Sequence, residues 1–187
     1  MKKRIIAITI IAIAVMSSVM AQKSFYDFNV QTIDGQPFSF ASLKGKKVMI
    51  VNTASKCGYT PQYKDLQLLN MAYGGDKFVI LGFPANNFMS QEPGTNAEIK
   101  EFCTSKYDVT FPMMAKISVK GDDMNPLYKW LTQKALNGVL DSEVGWNFQK
   151  YLIDENGKLV GYFKSSVKPL SDEVVMWVTK GQFTQAK

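Results

Sequence analysis

The stretch "VMIVNTASKCGYTP", residues 48–61, joins an apolar run to a polar loop and then to the apparent start of a helix. Its apolar residues are continuous rather than alternating, which is typical of a strand buried on both faces of a sheet. Thr60 and Pro61 follow in the order expected for the cap and the first residue of a helix. We therefore predict a central, parallel strand over 46–54 that leads into a helix beginning at Pro61.

Cys57 lies in the loop of this unit and is one of only two cysteines in the chain. The carboxyl end of a central strand is where α/β sheets bind ligands. A helix N-terminus stabilises an anion through its unpaired N–H groups and its dipole, and a thiolate is such an anion. Lys56 would add positive charge, and Gly58 lets the backbone approach the sulfur. The alternative is that Cys57 is a small buried residue, as free cysteines often are.

The remaining elements are predicted outward from this unit by periodicity and turn residues. They are a hairpin over 25–40 around Asp34-Gly35, a buried strand over 77–84, a helix capped by Thr95 and Glu98, a helix opened by Asn125-Pro126, a hairpin over 147–163 around Asn156-Gly157, and a closing helix over 169–180. A parallel β-α-β unit followed by a hairpin and a helix is the thioredoxin arrangement. The predicted class is therefore α/β, a thioredoxin-like fold with an N-terminal hairpin and a central mixed sheet flanked by helices.

Apolar residues at helical spacing indicate which side of each predicted helix faces the core. These residues are Tyr63, Leu66, Leu69 and either Ala72 or Tyr73 in the first helix, Ile99, Phe102 and Cys103 in the second, Leu127, Trp130 and Leu131 in the third, and Leu170, Val174, Trp177 and Val178 in the last.

The N-terminus has the three parts of a secretory signal peptide. A basic "MKKR" precedes a 12-residue apolar run at 5–16, and small residues follow before Gln22. We predict a signal over 1–21 and a single domain over 22–187. The alternative is an uncleaved membrane anchor, for which the apolar run is short. Export to the periplasm or the medium is expected, where a disulfide can persist.

Charge and composition narrow the possible functions. Without Lys2, Lys3 and Arg4 of the signal, 19 basic residues face 16 acidic ones, a net charge of +3. The lysines are scattered rather than aligned on one face, so nucleic-acid binding is not expected. The chain has no histidine, which removes Cys-His and Ser-His catalysis and most zinc sites. No cofactor or metal is expected, and any chemistry must use cysteine, amide, indole and charged groups.

The second cysteine is not placed as in a dithiol exchange motif. Such sites use Cys-x-x-Cys, and here Thr60 occupies the second cysteine position. Any partner of Cys57 must be Cys103, 46 residues further along the chain. Cys103 shares an apolar helix face with Ile99 and Phe102, so the residues alone are equally compatible with a core role.

Three segments together resemble the glutathione peroxidase family: "NTASKCGYT" (52–60), "GFPANNFMSQEPG" (82–94) and "WNFQKYLIDENGKLVGYF" (146–163). The resemblance implies a thioredoxin fold that reduces hydrogen peroxide and organic or lipid hydroperoxides with a cysteine. It implies that Cys57 is the peroxidatic residue, and that Gln91, Trp146 and Asn147 are its active-site partners. Their amide and indole N–H groups are suitable donors to a thiolate and to a departing oxyanion.

The resemblance also assigns a role to the second cysteine. "EFC" at 101–103, followed by "TSKYDVTFP", is similar to the resolving segment of the thioredoxin-dependent members. It implies that Cys57 becomes a sulfenic acid, that Cys103 condenses with it to a disulfide, and that a thioredoxin-like dithiol protein reduces the disulfide. The helix that carries Cys103 is expected to unwind, because a disulfide requires Cα atoms within about 7 Å.

The sequence departs from the family pattern at three places. Ala85-Asn86-Asn87 replaces Cys-Asn-Gln, and Met89-Ser90 replaces Gly-Gly before Gln91, which leaves the shape of that loop open. The segment from Pro112 to Trp146 lacks the insertion that tetrameric, glutathione-using relatives employ in assembly. A monomer that does not depend on glutathione is therefore expected.

Two other functions are compatible with such a fold. One is an exported thiol-disulfide exchange protein, against which Thr60 argues, as does the "EVGW" before the hairpin at 147–163, where thioredoxins usually have a proline. The other is a non-catalytic thioredoxin-fold domain with inert or permanently bridged cysteines. Titration of the thiols in the native, reduced protein separates these alternatives from a peroxidase.

Overall fold

The computed structural model describes residues 24–184, which form a four-stranded sheet with helices on both faces and a separate two-stranded hairpin. The strands are β1 (Asn29–Gln31), β2 (Pro37–Ser39), β3 (Lys47–Thr53), β4 (Phe78–Pro84), β5 (Lys150–Ile153) and β6 (Leu159–Phe163). The helices are α1 (Gln62–Tyr73), α2 (Asn96–Tyr107), α3 (Pro126–Thr132), α4 (Lys134–Asn137) and α5 (Asp172–Lys180), with 3-10 turns at Phe25–Asp27 and Phe40–Leu43.

The predicted signal peptide over 1–21 lies outside the described residues. Within 24–184, no helix has the length and apolar character needed to cross a membrane.

The larger sheet has the strand order β4-β3-β5-β6. β3 runs parallel to β4, with Val48 opposite Val79, and antiparallel to β5, with Val48 opposite Ile153. All seven residues of β3 are buried. The predicted central strand and mixed sheet are therefore confirmed, and the continuous apolar run reflects a strand that is covered on both faces.

Side chains of β3 alternate between two hydrophobic cores, one on each face of the sheet. Met49 and Val51 pack with residues of α1, α2 and α5, and both cysteines belong to this core. Val48 and Ile50 pack on the other face with residues of α3 and the N-terminal 3-10 turns. The two thiols are thus placed on the same side of the sheet.

Both predicted hairpins are present. β1 and β2 are antiparallel around a turn in which Gly35 has φ +77°. β5 and β6 are antiparallel around a turn in which Gly157 also has positive φ, at +77°. The N-terminal hairpin contacts α2 through an ion pair between Lys100 and Asp34, whose Nζ and Oδ1 are 2.8 Å apart.

The start of α1 differs from the prediction. Pro61 occupies the cap position with helical backbone angles, and no side chain caps the helix. The amides of Gln62 and Tyr63 already bond the carbonyls of Tyr59 and Thr60, at 2.9 and 3.0 Å. These tight backbone turns satisfy the first N–H groups of the helix, so the Thr60 hydroxyl is not required as a cap.

The other helices follow their patterns except at two ends. The Thr95-Glu98 capping box of α2 is confirmed, as is the Asn125 cap of α3. The expectation that Leu170 faces the core is wrong, because it precedes α5 and is 41% exposed. The inward placement of Ala72 or Tyr73 is also wrong, since both side chains are exposed in the last turn of α1.

Candidate active site

Cys57 lies in a tight turn between β3 and α1 and is 8% exposed. Its Sγ accepts a hydrogen bond from the backbone N–H of Tyr59 at 3.3 Å. The Thr60 hydroxyl accepts a bond from the Cys57 N–H at 2.9 Å and donates one to the Ala54 carbonyl at 2.8 Å. The side chain predicted to cap the helix therefore holds the turn that directs an amide at the sulfur. Such a bond is stronger to a thiolate than to a neutral thiol.

The two neighbours of Cys57 are exposed. A Cβ at Gly58 would meet no atom within 4 Å beyond its chain neighbours, so space beside the sulfur-bearing turn is open. The backbone N–H of Lys56 bonds the carbonyl of Gln91 at 3.0 Å. Lys56 thus joins the Cys57 turn to the loop that carries Gln91, irrespective of its side-chain charge.

Two of the predicted partners, Gln91 and Asn147, are brought together although they are 56 residues apart in the chain. The Asn147 side-chain amino group donates to Gln91 Oε1 at 2.9 Å. This bond uses the oxygen of Gln91, so the Gln91 amino group retains its capacity to donate. Asn147 is fully buried, and its Oδ1 has no hydrogen-bond partner among residues 24–184.

Trp146, the third predicted partner, is half-buried and packs on Phe88 with ring centroids 5.3 Å apart. Its carbonyl accepts a bond from the Asn52 side chain at 3.0 Å, and the Asn52 carbonyl accepts one from the Phe148 N–H at 2.6 Å. These two hydrogen bonds connect the segment around Asn147 to β3, the strand that leads to Cys57. No role was predicted for Asn52, although an amide side chain within an apolar strand indicates a buried polar group with specific hydrogen-bond partners.

The loop before Gln91 keeps a left-handed backbone without glycine. Met89 and Ser90, which stand where the resembled family has Gly-Gly, have φ of 50° and 51°. Each non-glycine residue in this region costs about 1 kcal/mol or more, so the surrounding structure must hold the loop. Asn86 Oδ1 accepts a bond from the Glu92 N–H at 2.8 Å, and Asn87 Oδ1 accepts one from the Val119 N–H at 2.9 Å.

Glu92 is a buried carboxyl that the sequence did not reveal. It is 1% exposed, and its Oε2 accepts a bond from the Ser55 hydroxyl at 3.1 Å. Burial raises the pKa of Glu92 above its ordinary value, against the effect of the Ser55 bonds and of the charges on Lys116 and Lys56. A glutamate in a polar loop is usually solvated, so only the tertiary contact with Ser55 distinguishes this one.

Cys103 lies on the inner face of α2 and is 1% exposed. Burial raises the pKa of Cys103 to about 11; the Tyr63 hydroxyl beside the sulfur opposes this rise, and the charge of Glu92 adds to it. Cys57 and Cys103 are both free thiols. The structure is therefore that of a reduced protein in which the second thiol is held neutral.

Together, the sheet, its flanking helices and the cysteine turn define a protein of the thioredoxin-like class with a single cysteine at the strand-helix junction. A glutathione peroxidase family model matches residues 25–132, which is more than half of the chain. The chain belongs to the glutathione peroxidase family.

Curated relatives agree with this assignment. The chain is 51% identical over 150 residues to glutathione peroxidase-like peroxiredoxin 2 of Saccharomyces cerevisiae, covering 79% of this chain and 91% of the relative. It is 49% identical over 146 residues to glutathione peroxidase-like peroxiredoxin gpx1 of Schizosaccharomyces pombe, covering 78% and 91%. It is 42% identical over 167 residues to hydroperoxy fatty acid reductase gpx1 of Synechocystis, covering 86% and 96%.

Solved structures support the fold. The crystal structure of Trgpx in its apo form is 40% identical, with a TM-score of 0.63, and the match covers 83% of this chain and 95% of that one. A thioredoxin-family thiol:disulfide interchange protein from Chlorobium tepidum is 23% identical, with a TM-score of 0.53, covering 73% and 81%. The second likeness concerns the fold alone, and it agrees with the predicted thioredoxin-like architecture.

Proposed function

We propose that this chain is a thiol peroxidase that reduces hydrogen peroxide and organic or lipid hydroperoxides through Cys57. The observation that carries the proposal is the Cys57 turn, in which a backbone amide donates to Sγ at the junction of a central strand and a helix. The family membership supports it, as do relatives named as peroxiredoxins and as a hydroperoxy fatty acid reductase.

In the first step, the Cys57 thiolate attacks one oxygen of the peroxide and the O–O bond breaks. The attacked oxygen stays on sulfur as a sulfenic acid, and the other leaves as water or an alcohol after taking up a proton. Gln91, Trp146 and Asn147 stabilise the thiolate and the departing oxyanion by donating hydrogen bonds. The bond between Gln91 and Asn147 supports this role, because it fixes two of the three donors relative to each other.

In the second step, Cys103 attacks the sulfur of the sulfenic acid, and the disulfide forms with loss of water. We expect helix α2 to unwind for this step, because a disulfide requires Cα atoms within about 7 Å. A thioredoxin-like dithiol protein then reduces the disulfide and restores both thiols. The presence of only two cysteines in the chain supports this assignment.

We further propose that the protein is exported and acts as a monomer. The predicted signal over 1–21 supports a periplasmic or secreted location. The short segment from Pro112 to Trp146 supports both the monomer and the preference for a thioredoxin-like reductant over glutathione.

The decisive experiment is steady-state kinetics with hydrogen peroxide and with a fatty-acid hydroperoxide, each reduced by thioredoxin or by glutathione. Peroxide consumption that depends on thioredoxin is expected with both substrates, with slower turnover on glutathione. A protein that reduces disulfide substrates but consumes neither peroxide would instead be a thiol-disulfide exchange protein. A protein without either activity would be a non-catalytic domain.

A further inference from the structure

Lys150 is a fully buried lysine in β5, a strand whose four residues are all buried. It lies opposite Val51 of β3 and Phe163 of β6, and both of these side chains belong to the core that contains the two cysteines. Side chains opposite each other in neighbouring strands point to the same face of a sheet. The Lys150 side chain is therefore directed to the face of the sheet on which Cys57 lies.

Two backbone carbonyls bind the Lys150 ammonium, and they come from different segments. Nζ donates to the Phe148 carbonyl at 2.8 Å and to the Val167 carbonyl at 2.7 Å. Lys150 takes part in none of the ion pairs among residues 24–184, and burial lowers the pKa of Lys150 to about 7. A buried amino group without a counter-ion costs free energy that an apolar side chain of similar size does not. The core alone therefore does not require a lysine at this position.

Phe148, one of the residues that Lys150 binds, has an unfavourable backbone conformation. Its φ is 66°, in the left-handed region that a bulky residue rarely adopts. Its N–H donates to the Asn52 carbonyl at 2.6 Å, and its carbonyl accepts the Lys150 bond. Its ring is buried and packs edge-to-face on Tyr63, with centroids 5.3 Å apart. These contacts hold a conformation that the residue itself disfavours.

The backbone of Phe148 determines where the preceding residue, Asn147, lies. Because β5 is fixed in the sheet, a change in φ at Phe148 would rotate the part of the chain that precedes it. The Asn147 amino group donates to Gln91 Oε1 at 2.9 Å, so such a rotation would lengthen or break this bond. The lysine and the amide are thus connected through one hydrogen bond and two adjacent residues.

We propose that Lys150 is a positioning residue of the peroxidase site. Its ammonium bonds the Phe148 carbonyl, which holds the left-handed backbone there and keeps the Asn147 amide within bonding distance of Gln91. The role requires no contact between the lysine and the peroxide or the reacting sulfur, since the lysine acts through Asn147. This inference rests on the proposed peroxidase function and on Asn147 as one of its donors.

The test is a double-mutant cycle on the second-order reaction of the full mature chain with hydrogen peroxide, followed by rapid mixing. Lys150→Met removes both hydrogen bonds and keeps an unbranched side chain of similar length. It should lower the rate constant about tenfold, because a group misplaced by about 1 Å costs up to about 100-fold. In the Asn147→Ala background the same change should cost less than about twofold, because the amide that the lysine positions is already absent.

Lys47 provides the matched control. It is a second buried lysine whose Nζ donates to two carbonyls, those of Trp177 at 3.1 Å and Val178 at 3.0 Å, and it also pairs with Glu155 at 3.7 Å. It opens β3, about 20 Å along the strand from the end that leads to Cys57. Lys47→Met should therefore leave the peroxide rate constant within about twofold of wild type, whatever its effect on thermal unfolding.

Two further measurements separate positioning from a loss of stability. In heteronuclear NMR spectra, the side-chain amide resonances of Asn147 should shift in Lys150→Met and stay in place in Lys47→Met. Lys150→Gln is the second variant, for the case in which Lys150→Met does not fold. Its amide ends one bond earlier than the ammonium, so the Phe148 carbonyl loses its partner while a polar group is kept. Lys150→Gln should show the same loss of reactivity and the same coupling to Asn147→Ala.

The outcomes are distinct. A folded Lys150→Met or Lys150→Gln protein with wild-type reactivity overturns the proposal. A loss as large in the Asn147→Ala background as in wild type also overturns it, because the lysine then does not act through the amide. If Asn147→Ala itself keeps full reactivity, the inference fails while the peroxidase function stands. A wild-type chain that consumes no peroxide refutes the proposed function itself, and this result needs none of the variants.

Discussion

The two cysteines belong to the same hydrophobic core but have opposite local environments. Cys57 lies in a turn, where the Tyr59 amide donates to its sulfur and exposed Lys56 and Gly58 leave one side open. Cys103 lies on the inner face of a regular helix, where burial raises its pKa to about 11. The first environment places a backbone donor and open space beside the sulfur, and the second keeps a thiol neutral and covered.

This difference orders the chemistry in time. A nucleophile for peroxide must be ready in the resting protein, whereas a resolving thiol that was equally reactive would compete for the oxidant. If Cys103 is the resolving thiol, as proposed, its protonation inside α2 would delay its reaction until Cys57 has been oxidised. The capping box and the Lys100-Asp34 ion pair hold α2 in its resting position.

Replacing Cys57 should have the largest effect. In Cys57→Ser, peroxide consumption should fall by about 10⁴-fold or more, because a hydroxyl at this position is not ionised and the nucleophile is lost. Consumption is followed directly with hydrogen peroxide, without any reductant-coupled assay. Activity near wild type would show that the environment of Cys57 is not that of the reacting sulfur.

Replacing Cys103 should abolish turnover but not the first step. In Cys103→Ser, reaction with one equivalent of peroxide should proceed at the wild-type rate, since Cys57 and its donors are untouched. The variant should gain one oxygen by intact mass, whereas wild type should lose two hydrogens as an internal disulfide. Normal turnover of the variant with thioredoxin would make Cys103 a core residue and the protein a one-cysteine peroxidase.

Removing a predicted active-site donor should have an intermediate effect. Asn147→Ala should lower the second-order rate with peroxide by about 10²–10³-fold, as loss of one preorganised donor does elsewhere. Gln91→Ala is the matched variant, because it removes the other partner of the same 2.9 Å bond. A folded Asn147→Ala protein with full peroxide reactivity would exclude Asn147 from the site.

Most of this arrangement was accessible from the sequence, for physical reasons that differ between residues. The apolar run of β3 and the Asn-Gly and Asp-Gly turns encode their elements locally, and these predictions are confirmed. Thr60 shows what local sequence cannot decide. A hydroxyl before Pro61 can cap the following helix or bond the backbone of the preceding turn, and in the structure it does the second. Leu170 shows another limit, since α5 begins only at Asp172 and helical periodicity does not place a residue that precedes the helix.

The site residues that escaped prediction are those defined by contacts across the chain. Glu92 is distinguished only by its burial and its bond to Ser55, 37 residues earlier, and nothing in its local sequence requires that burial. The left-handed backbone of Met89 and Ser90 could not be predicted from the sequence either, because both residue types favour other conformations. The roles of Gln91, Trp146, Asn147 and Cys103 were drawn from a family resemblance and stay predictions.

The smallest expected effect concerns the helix that hides Cys103. Thr95 caps α2 by accepting a bond from the Glu98 N–H, and Thr95→Ala should weaken the helix by about 1 kcal/mol. If Cys103 reaches Cys57 only when α2 unwinds, this destabilising change should accelerate resolution by up to about fivefold. The rate of peroxide attack should not change, because the Cys57 turn makes no bond to Thr95 within the described contacts.

The matched control is a cap removed from a helix that carries no cysteine. Asn125 caps α3 by accepting a bond from the Leu127 N–H at 3.0 Å, and Asn125→Ala should lower the stability of the fold by a similar amount. It should leave resolution at the wild-type rate, since α3 packs on the opposite face of the sheet. Faster resolution in Thr95→Ala alone would tie the step to local unwinding of α2. Resolution at the wild-type rate in both variants would mean that Cys103 reaches Cys57 by a motion in which the helix stays folded.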